Sequence, residues 1–385
     1  MDKKKQIAFN LNNFLLATSI ALDGVEQDIC GVSELHCKRV AYVSLQIGQS
    51  LDFNYQEMFD LCAYSLCHSI GLKQALKKGH LYVDQGEENI KDFPFLTGKK
   101  DIIKYHNEHY DGTGIHRIKG DDIPLFAQII ALADIVDTKF DFSCKTIENR
   151  SKIINYVKEN ENILFSQKLV NIFLTISSKL AFWLDLQNET DMLFYIFGSL
   201  QDFTEAQEFE RVLDITSVFT YMLDKDSRII EHSSKMADFY NFDFKDKETF
   251  LIAASMQNIG KLVIEQEILD KTSALSSDEY EIIKSYAYYT HKVLNNIMGF
   301  NDIASWASKV QESIDGLGYP QGLAAKDLSL KDRVLAALNV YEALTQKRAY
   351  RDAYSHYDAV EILREQASKG KLDISIVEDI YNVFS

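Results

Sequence analysis

Asp111-Gly112-Thr113-Gly114 is echoed by Asp315-Gly316-Leu317-Gly318, and this pair decides how the chain is read. Downstream of each, the register holds with one inserted residue. Ile123-Pro124-Leu125 stands against Leu328-Ser329-Leu330, and Ile129-Ile130-Ala131-Leu132-Ala133-Asp134 against Val334-Leu335-Ala336-Ala337-Leu338-Asn339. Upstream, Ser65-Leu66-Cys67-His68-Ser69-Ile70-Gly71-Leu72 matches Ala254-Ser255-Met256-Gln257-Asn258-Ile259-Gly260-Lys261, and His36 pairs with His232. A repeat of about 180 residues is the simplest account. It predicts two tandem domains, 1–200 and 205–385, with a seam where Gln201, Asp202, Thr204, Glu205 and Gln207 break the apolar pattern.

The pattern around the repeat is helical. His36, Val40, Val43 and Ile47 recur at the spacing of one helix face, as do Met58, Leu61, Cys62, Ser65 and Leu66, and again Phe126, Ile130, Ala133 and Asp137. Strand-like alternation is hard to find, and Gly and Pro punctuate short connections. The predicted class is all-α, two tandem helical domains, as expected for a chain of 385 residues.

Composition narrows the function. With 46% hydrophobic and 25% charged residues the chain is globular, and its net charge of −16 argues against a DNA- or RNA-tracking surface. A small anionic ligand stays open, because a few arginines neutralise two phosphates locally. No run approaches the ~18 apolar residues of a membrane span. All five cysteines (Cys30, Cys37, Cys62, Cys67, Cys144) lie in the first 144 residues without paired spacing. They read as small buried hydrophobes in a reducing cytoplasm.

Six of nine histidines fall between residues 36 and 116. His36 sits on an apolar helix face, and Asp134 shares a face with Ala127 and Ile130. A buried carboxylate needs a partner, since an unpaired charge costs several kcal/mol. A divalent metal shared with imidazoles supplies one. His36, His68, His80, His106 and Asp134 are the candidate ligands, while His109 and His116 flank the glycine turn as loop residues. Each histidine singly also fits an ordinary core or surface role.

These landmarks resemble the HD-GYP branch of the HD phosphohydrolases, once per half. That family has a helix histidine, a His-Asp-x-Gly-Lys element, a lone histidine, a His-His-Glu-x-x-Asp-Gly-x-Gly-Tyr-Pro stretch and an Ala-Asp-x-x-Asp helix. In the first half the resemblance places His36, His68, His80, His106 and Asp134 on ligand positions. The namesake aspartate is Ser69, the second histidine of the pair is Asn107, and Tyr-Pro is Ile115-His116. In the second half Gly318-Tyr319-Pro320 and Lys261 remain, but Gln257-Asn258, Tyr286, Val310-Gln311 and Asn339 replace the ligands, leaving His232 alone.

The resemblance implies cyclic di-GMP phosphodiesterase chemistry, in which cations polarise the phosphoryl oxygens and activate water. It implies one divalent transition metal in the first domain (Fe, Mn or Zn) and none in the second. Tyr319, Pro320, Arg333, Arg348 and Arg351 are the expected contacts of a cyclic dinucleotide or other small nucleotide, with Tyr319 stacking on a base and the arginines neutralising phosphate. Ser69 and Asn107 point to a degenerate, weakly active or inactive protein that signals through a nucleotide and a protein partner. An active phosphohydrolase using the residual first site, and a ligand-free scaffold, are the alternatives.

Overall fold

The computed structural model describes residues 5–78, 81–347 and 351–385. The fold is all-α, apart from a two-stranded antiparallel ribbon of β1 (Gln6–Phe9) and β2 (Glu205–Glu208), in which Gln6 faces Glu208 and Phe9 faces Glu205. The chain divides into two compact units. One is Asn10–Thr204. The other is Glu205–Ser385 together with β1, so the first strand leaves the domain in which its sequence position puts it.

In the Asn10–Thr204 unit, α1 (Leu11–Cys30), α2 (His36–Ser50) and α3 (Tyr55–Leu66) pack on one another and are followed by α4 (Leu72–Lys78), α5 (Tyr82–Asn89) and α6 (Ile102–Tyr105). α7 (Leu125–Phe140) packs against α2 and α3, and α8 (Ile147–Glu159), α9 (Gln167–Ser177), α10 (Leu180–Asp185) and α11 (Glu189–Ser199) complete the unit. The periodic residues do what their spacing predicts: Val40, Val43, Ile47, Leu61, Leu66, Ile130 and Ala133 are fully buried. Each such aliphatic side chain larger than Ala contributes about 1.5–3 kcal/mol.

Local chemistry sets the boundaries. Asn10 caps α1 by accepting from the Asn13 N–H at 3.0 Å, and α1 stops at Gly31 in the left-handed region. Asn54 and Glu57 form a reciprocal capping box at the start of α3. Of the cysteines, Cys37, Cys62 and Cys67 are buried as expected, whereas Cys30 is exposed and Cys144 half-buried.

The second unit follows a similar order: α12 (Phe209–Leu223), α13 (Ile229–Phe239), α14 (Phe244–Met256), α15 (Gln266–Leu269), α16 (Ser277–Leu294), α17 (Asn301–Ala307), α18 (Leu330–Thr345), α19 (His356–Ser368) and α20 (Ile374–Phe384). Here α13 packs on α14 and α18, as α2 packs on α3 and α7.

Three local frames recur in both units. Gly112 and Gly316 both have positive φ, 85° and 78°, in the turn that Asp111 and Asp315 brace by accepting from the N–H two residues on. Glu108 accepts from the His116 and Ile118 N–H groups at 2.6 and 2.9 Å, and Glu312 from those of Gln321 and Leu323, both at 2.8 Å. A Cβ on Gly71 would stand 2.1 Å from the Tyr82 carbonyl oxygen, and one on Gly260 would stand 2.0 Å from that of Tyr286. Both glycines are therefore needed for close backbone approach. By this contact Tyr286 corresponds to Tyr82, two residues beyond His80.

A candidate metal centre in the Asn10–Thr204 unit

Four elements converge on one point. α1 brings Glu26, the first residue of α2 is His36, the turn after α3 carries His68, and α7 presents Asp134. One ligand atom from each of these four residues lies within 4.8 Å of all the others. His36 Nε2 is 3.2 Å from Asp134 Oδ1 and 3.6 Å from Glu26 Oε1. His68 Nε2 is 3.2 Å from Glu26 Oε1 and 3.7 Å from Asp134 Oδ1.

Hydrogen bonding at the far ring nitrogens explains why the histidines face inward. The carbonyl oxygens of Ser65 and Ile103 only accept, so Nδ1 of His68 and of His106 must donate to them, at 2.8 and 2.6 Å. Nε2 of each neutral ring then carries a lone pair. His36 Nδ1 is held at 2.6 Å by Asp137 Oδ2, and Asp137 also accepts from Arg39 Nε at 2.8 Å and the Phe142 N–H at 2.7 Å. A carboxylate behind a ligand imidazole is the usual outer-shell support of a metal site. Replacing Asp137 with Asn is therefore expected to weaken metal affinity by about 10–100-fold, read by competition with a chelator, with little change in helix content.

Lone pairs that face carboxylate oxygens at these separations require positive charge between them. Without a cation, protons supply it. Burial opposes charge on the rings, but Glu26, aided by Asp134, outweighs it, so His36 rises well above its ordinary pKa and His68 rises to about 9. Burial raises Asp134 and Glu26 too, yet the two imidazoles outweigh it and hold both carboxyls below their usual range. His106 behaves oppositely: burial, then the charge on His68, pull it down to about 4.

A divalent cation satisfies the same demand. A tetrahedral ion with bonds of about 2.0–2.2 Å spaces its ligands by roughly 3.3–3.6 Å, and the four nitrogen–oxygen separations, from 3.2 to 3.7 Å, bracket that range. The Nε2 atoms of His36 and His106 are buried without a hydrogen bond of good geometry, although His36 lies within ion-pair distance of Asp134. Two imidazoles and two carboxylates suit Fe(II), Mn(II) or Zn(II). The residues present fit the group.

The structure thus brings together His36, His68 and Asp134, with His106 beside them: its ring centroid is 5.7 Å from that of His68. His80 lies outside the described residues. Glu26 is the member of this candidate cluster that sequence reasoning missed. Its second oxygen, Oε2, accepts from the Cys37 thiol at 3.4 Å, and that thiol stays protonated because burial, reinforced by Asp23 and Glu26, raises its pKa well above the ordinary value. Cys67, next to His68, is a buried thiol turned towards the Tyr64 carbonyl at 3.8 Å.

In the other unit His232 is supported as His36 is, its Nδ1 lying 2.9 Å from Glu342 Oε2. Three positions that the resemblance pairs with ligands carry neutral side chains: Gln257, Tyr286 and Asn339 are buried, and both amide atoms of Gln257 lack a hydrogen-bond partner. Among the described residues of this unit no cluster of metal-ligating side chains forms.

Two of the expected phosphate contacts have partners within the chain. Arg333 donates to the carbonyls of Leu328 and Ala325 and pairs with Asp373 at 3.0 Å. Arg351 donates to the carbonyls of Ala343 and Leu344 and lies over the Tyr354 ring. Both guanidinium groups are spent on tying chain segments together. Arg348 lies outside the described residues. Tyr319 is half-buried with Lys284 Nζ 5.8 Å from its ring centre, and Pro320 is exposed.

The HD-domain family model matches residues 31–141 and 210–376, and the chain belongs to that family. It is 26% identical to 3'3'-cGAMP-specific phosphodiesterase 1 of Vibrio cholerae, over 96% of this chain and 91% of that protein. It is 24% identical to 3'3'-cGAMP-specific phosphodiesterase 3 of the same organism, over 94% of this chain and 92% of the relative. A shorter match, 30% identical over 34% of this chain and 35% of the relative, is to the cyclic di-GMP phosphodiesterase PdeB of Borreliella burgdorferi. A crystal structure of a cyclic GMP-AMP-specific phosphodiesterase from V. cholerae superposes with a TM-score of 0.69 at 20% identity, over 98% of both chains, and shares the fold.

Proposed function

We propose that this chain is a metal-dependent cyclic-dinucleotide phosphodiesterase of HD-GYP type, with its hydrolytic centre in the Asn10–Thr204 unit. The observation that carries this reading is the convergence of Glu26, His36, His68 and Asp134. Sequence alone points to a weakened site because Ser69 replaces the family aspartate. Glu26 restores a carboxylate to the cluster from a different helix, and this favours activity over inactivity.

Glu26, His36, His68 and Asp134 would hold one divalent cation, whose chemistry is to polarise a phosphoryl oxygen and ease ionisation of water near neutral pH. Asp137 orients His36. His106 Nε2, neutral and unpartnered, accepts a hydrogen bond from the attacking water. The cyclic dinucleotide is the substrate because relatives that match almost the whole chain are named for it. The Glu205–Ser385 unit is a degenerate second copy that keeps the Gly318-Tyr319-Pro320 loop and binds no transition metal. Among the described residues no helix is long and apolar enough to cross a membrane, and we place the protein in the cytoplasm, where its thiols stay reduced.

The test is elemental analysis of protein purified without chelator, paired with product chromatography on 3'3'-cGAMP and cyclic di-GMP. About one metal per chain, lost in His36→Ala and retained in His232→Ala, together with turnover of either nucleotide, is the expected result. Absence of metal from the untreated protein would refute the proposal. A second reading, a non-catalytic nucleotide sensor acting on a protein partner, draws on Ser69 and Asn107, and it gains if nucleotide binds without turnover.

A further inference from the structure

Beside the four-residue cluster, two neutral residues stand next to His106. Tyr82, the first residue of α5, has its ring centroid 5.9 Å from that of His106. Asn107, the next residue along from His106, donates through Nδ2 to the Tyr82 hydroxyl oxygen. Both are half-buried, whereas His106 is fully buried with Nε2 unpartnered. His106 in turn stands edge-on to His68, a member of the cluster. Among the described residues, the His106 imidazole stands beside a phenol and a carboxamide, and neither neighbour is a good donor to a second transition metal. A phenol is, however, a good hydrogen-bond donor to an anionic oxygen. The hydroxyl oxygen of Tyr82 accepts from Asn107, so its proton remains available.

On the reading of this unit as a one-cation phosphodiesterase, we propose that Tyr82 takes the place of a second cation. Held by Asn107, its hydroxyl donates a hydrogen bond to a non-bridging phosphoryl oxygen of the cyclic dinucleotide. Asn107 is the positioning residue and Tyr82 the group that touches substrate. In the hydrolysis the water oxygen forms a bond to phosphorus, the ester P–O bond breaks, and the proton shed by water ends on the departing ribose oxygen. Tyr82 keeps its own proton throughout. Its hydrogen bond shortens as charge builds on the phosphoryl oxygen, which is where a fixed donor has its largest effect on rate.

Three proteins test this: the unaltered chain, Tyr82→Phe, and the double variant Tyr82→His with Asn107→His. The unaltered chain and Tyr82→Phe are expected to hold about one metal each. Tyr82→Phe should lower kcat by about 100-fold, with KM changed by less than about threefold. Calorimetric affinity for the bis-phosphorothioate analogue of 3'3'-cGAMP should fall by about tenfold in Tyr82→Phe, a readout independent of turnover. The double variant places three imidazoles at His106 and should raise the metal content from one to two per chain. Full kcat in Tyr82→Phe, two metals in the unaltered chain, or a double variant still at one metal would each overturn the proposal while leaving the phosphodiesterase reading standing. An unaltered chain free of metal defeats both.

Discussion

Glu26→Gln is expected to empty the centre. The substitution keeps the size and hydrogen-bonding shape of the side chain but removes the negative charge that faces both His36 and His68. Changes to residues that merely orient a metal ligand cost about 10–100-fold in affinity, so loss of a charged ligand should cost at least about 100-fold. Phosphodiesterase activity should fall with it, and excess Mn(II) or Fe(II) should restore part of the loss by mass action. Elemental analysis before and after dialysis reads the outcome directly. Undiminished metal content in Glu26→Gln would show that the cation sits elsewhere.

A second large effect should appear in stability. A Cβ at residue 260 would lie 2.0 Å from the Tyr286 carbonyl oxygen and 2.7 Å from the Thr290 N, and both are backbone atoms that cannot swing aside. Overpacking of this kind costs about 1–3 kcal/mol, and more where backbone must move. For Gly260→Ala we expect a loss of about 3 kcal/mol and a fall of roughly 6–12 °C in the melting transition of the Glu205–Ser385 unit. Metal content should not change. Gly71→Ala meets the Tyr82 carbonyl in the same way, three residues beyond His68, and should lower both stability and metal affinity. A melting shift under about 2 °C for Gly260→Ala would contradict the packing argument.

The helices were legible because their apolar residues recur at helical spacing and bury as that spacing requires. His36, His68 and Asp134 were legible because histidine and aspartate are conspicuous on apolar faces. Glu26 was not, since no motif marks it and its partners lie ten or more residues away in sequence. One signal was available. Asp23 and Glu26 fall one turn apart in α1, whose other residues from Phe14 to Val25 are mostly apolar, and two carboxylates in such a helix demand partners. The ribbon was invisible to periodicity, because strands of four residues offer too little alternation. The partners of Arg333 and Arg351 were hidden for a related reason: charge is visible in sequence, but its use on the chain's own carbonyls is not.

The N-terminal strand carries a consequence for the history and engineering of the molecule. Because β1 groups with Glu205–Ser385, the Asn10–Thr204 unit is topologically an insertion, entered after Phe9 and left before Glu205. Its two ends are stitched together, the Asn10 amide donating to Asp202 Oδ1 at 3.1 Å and to Thr204 Oγ1 at 3.4 Å. Inserted modules with adjoining ends can be excised or exchanged with little strain on their host. A chain cut cleanly between 204 and 205 would instead strip β2 of its partner and leave an edge open to other strands. The Asn10–Thr204 module therefore behaves as a cassette, and its natural excision points are Asn10 and Thr204.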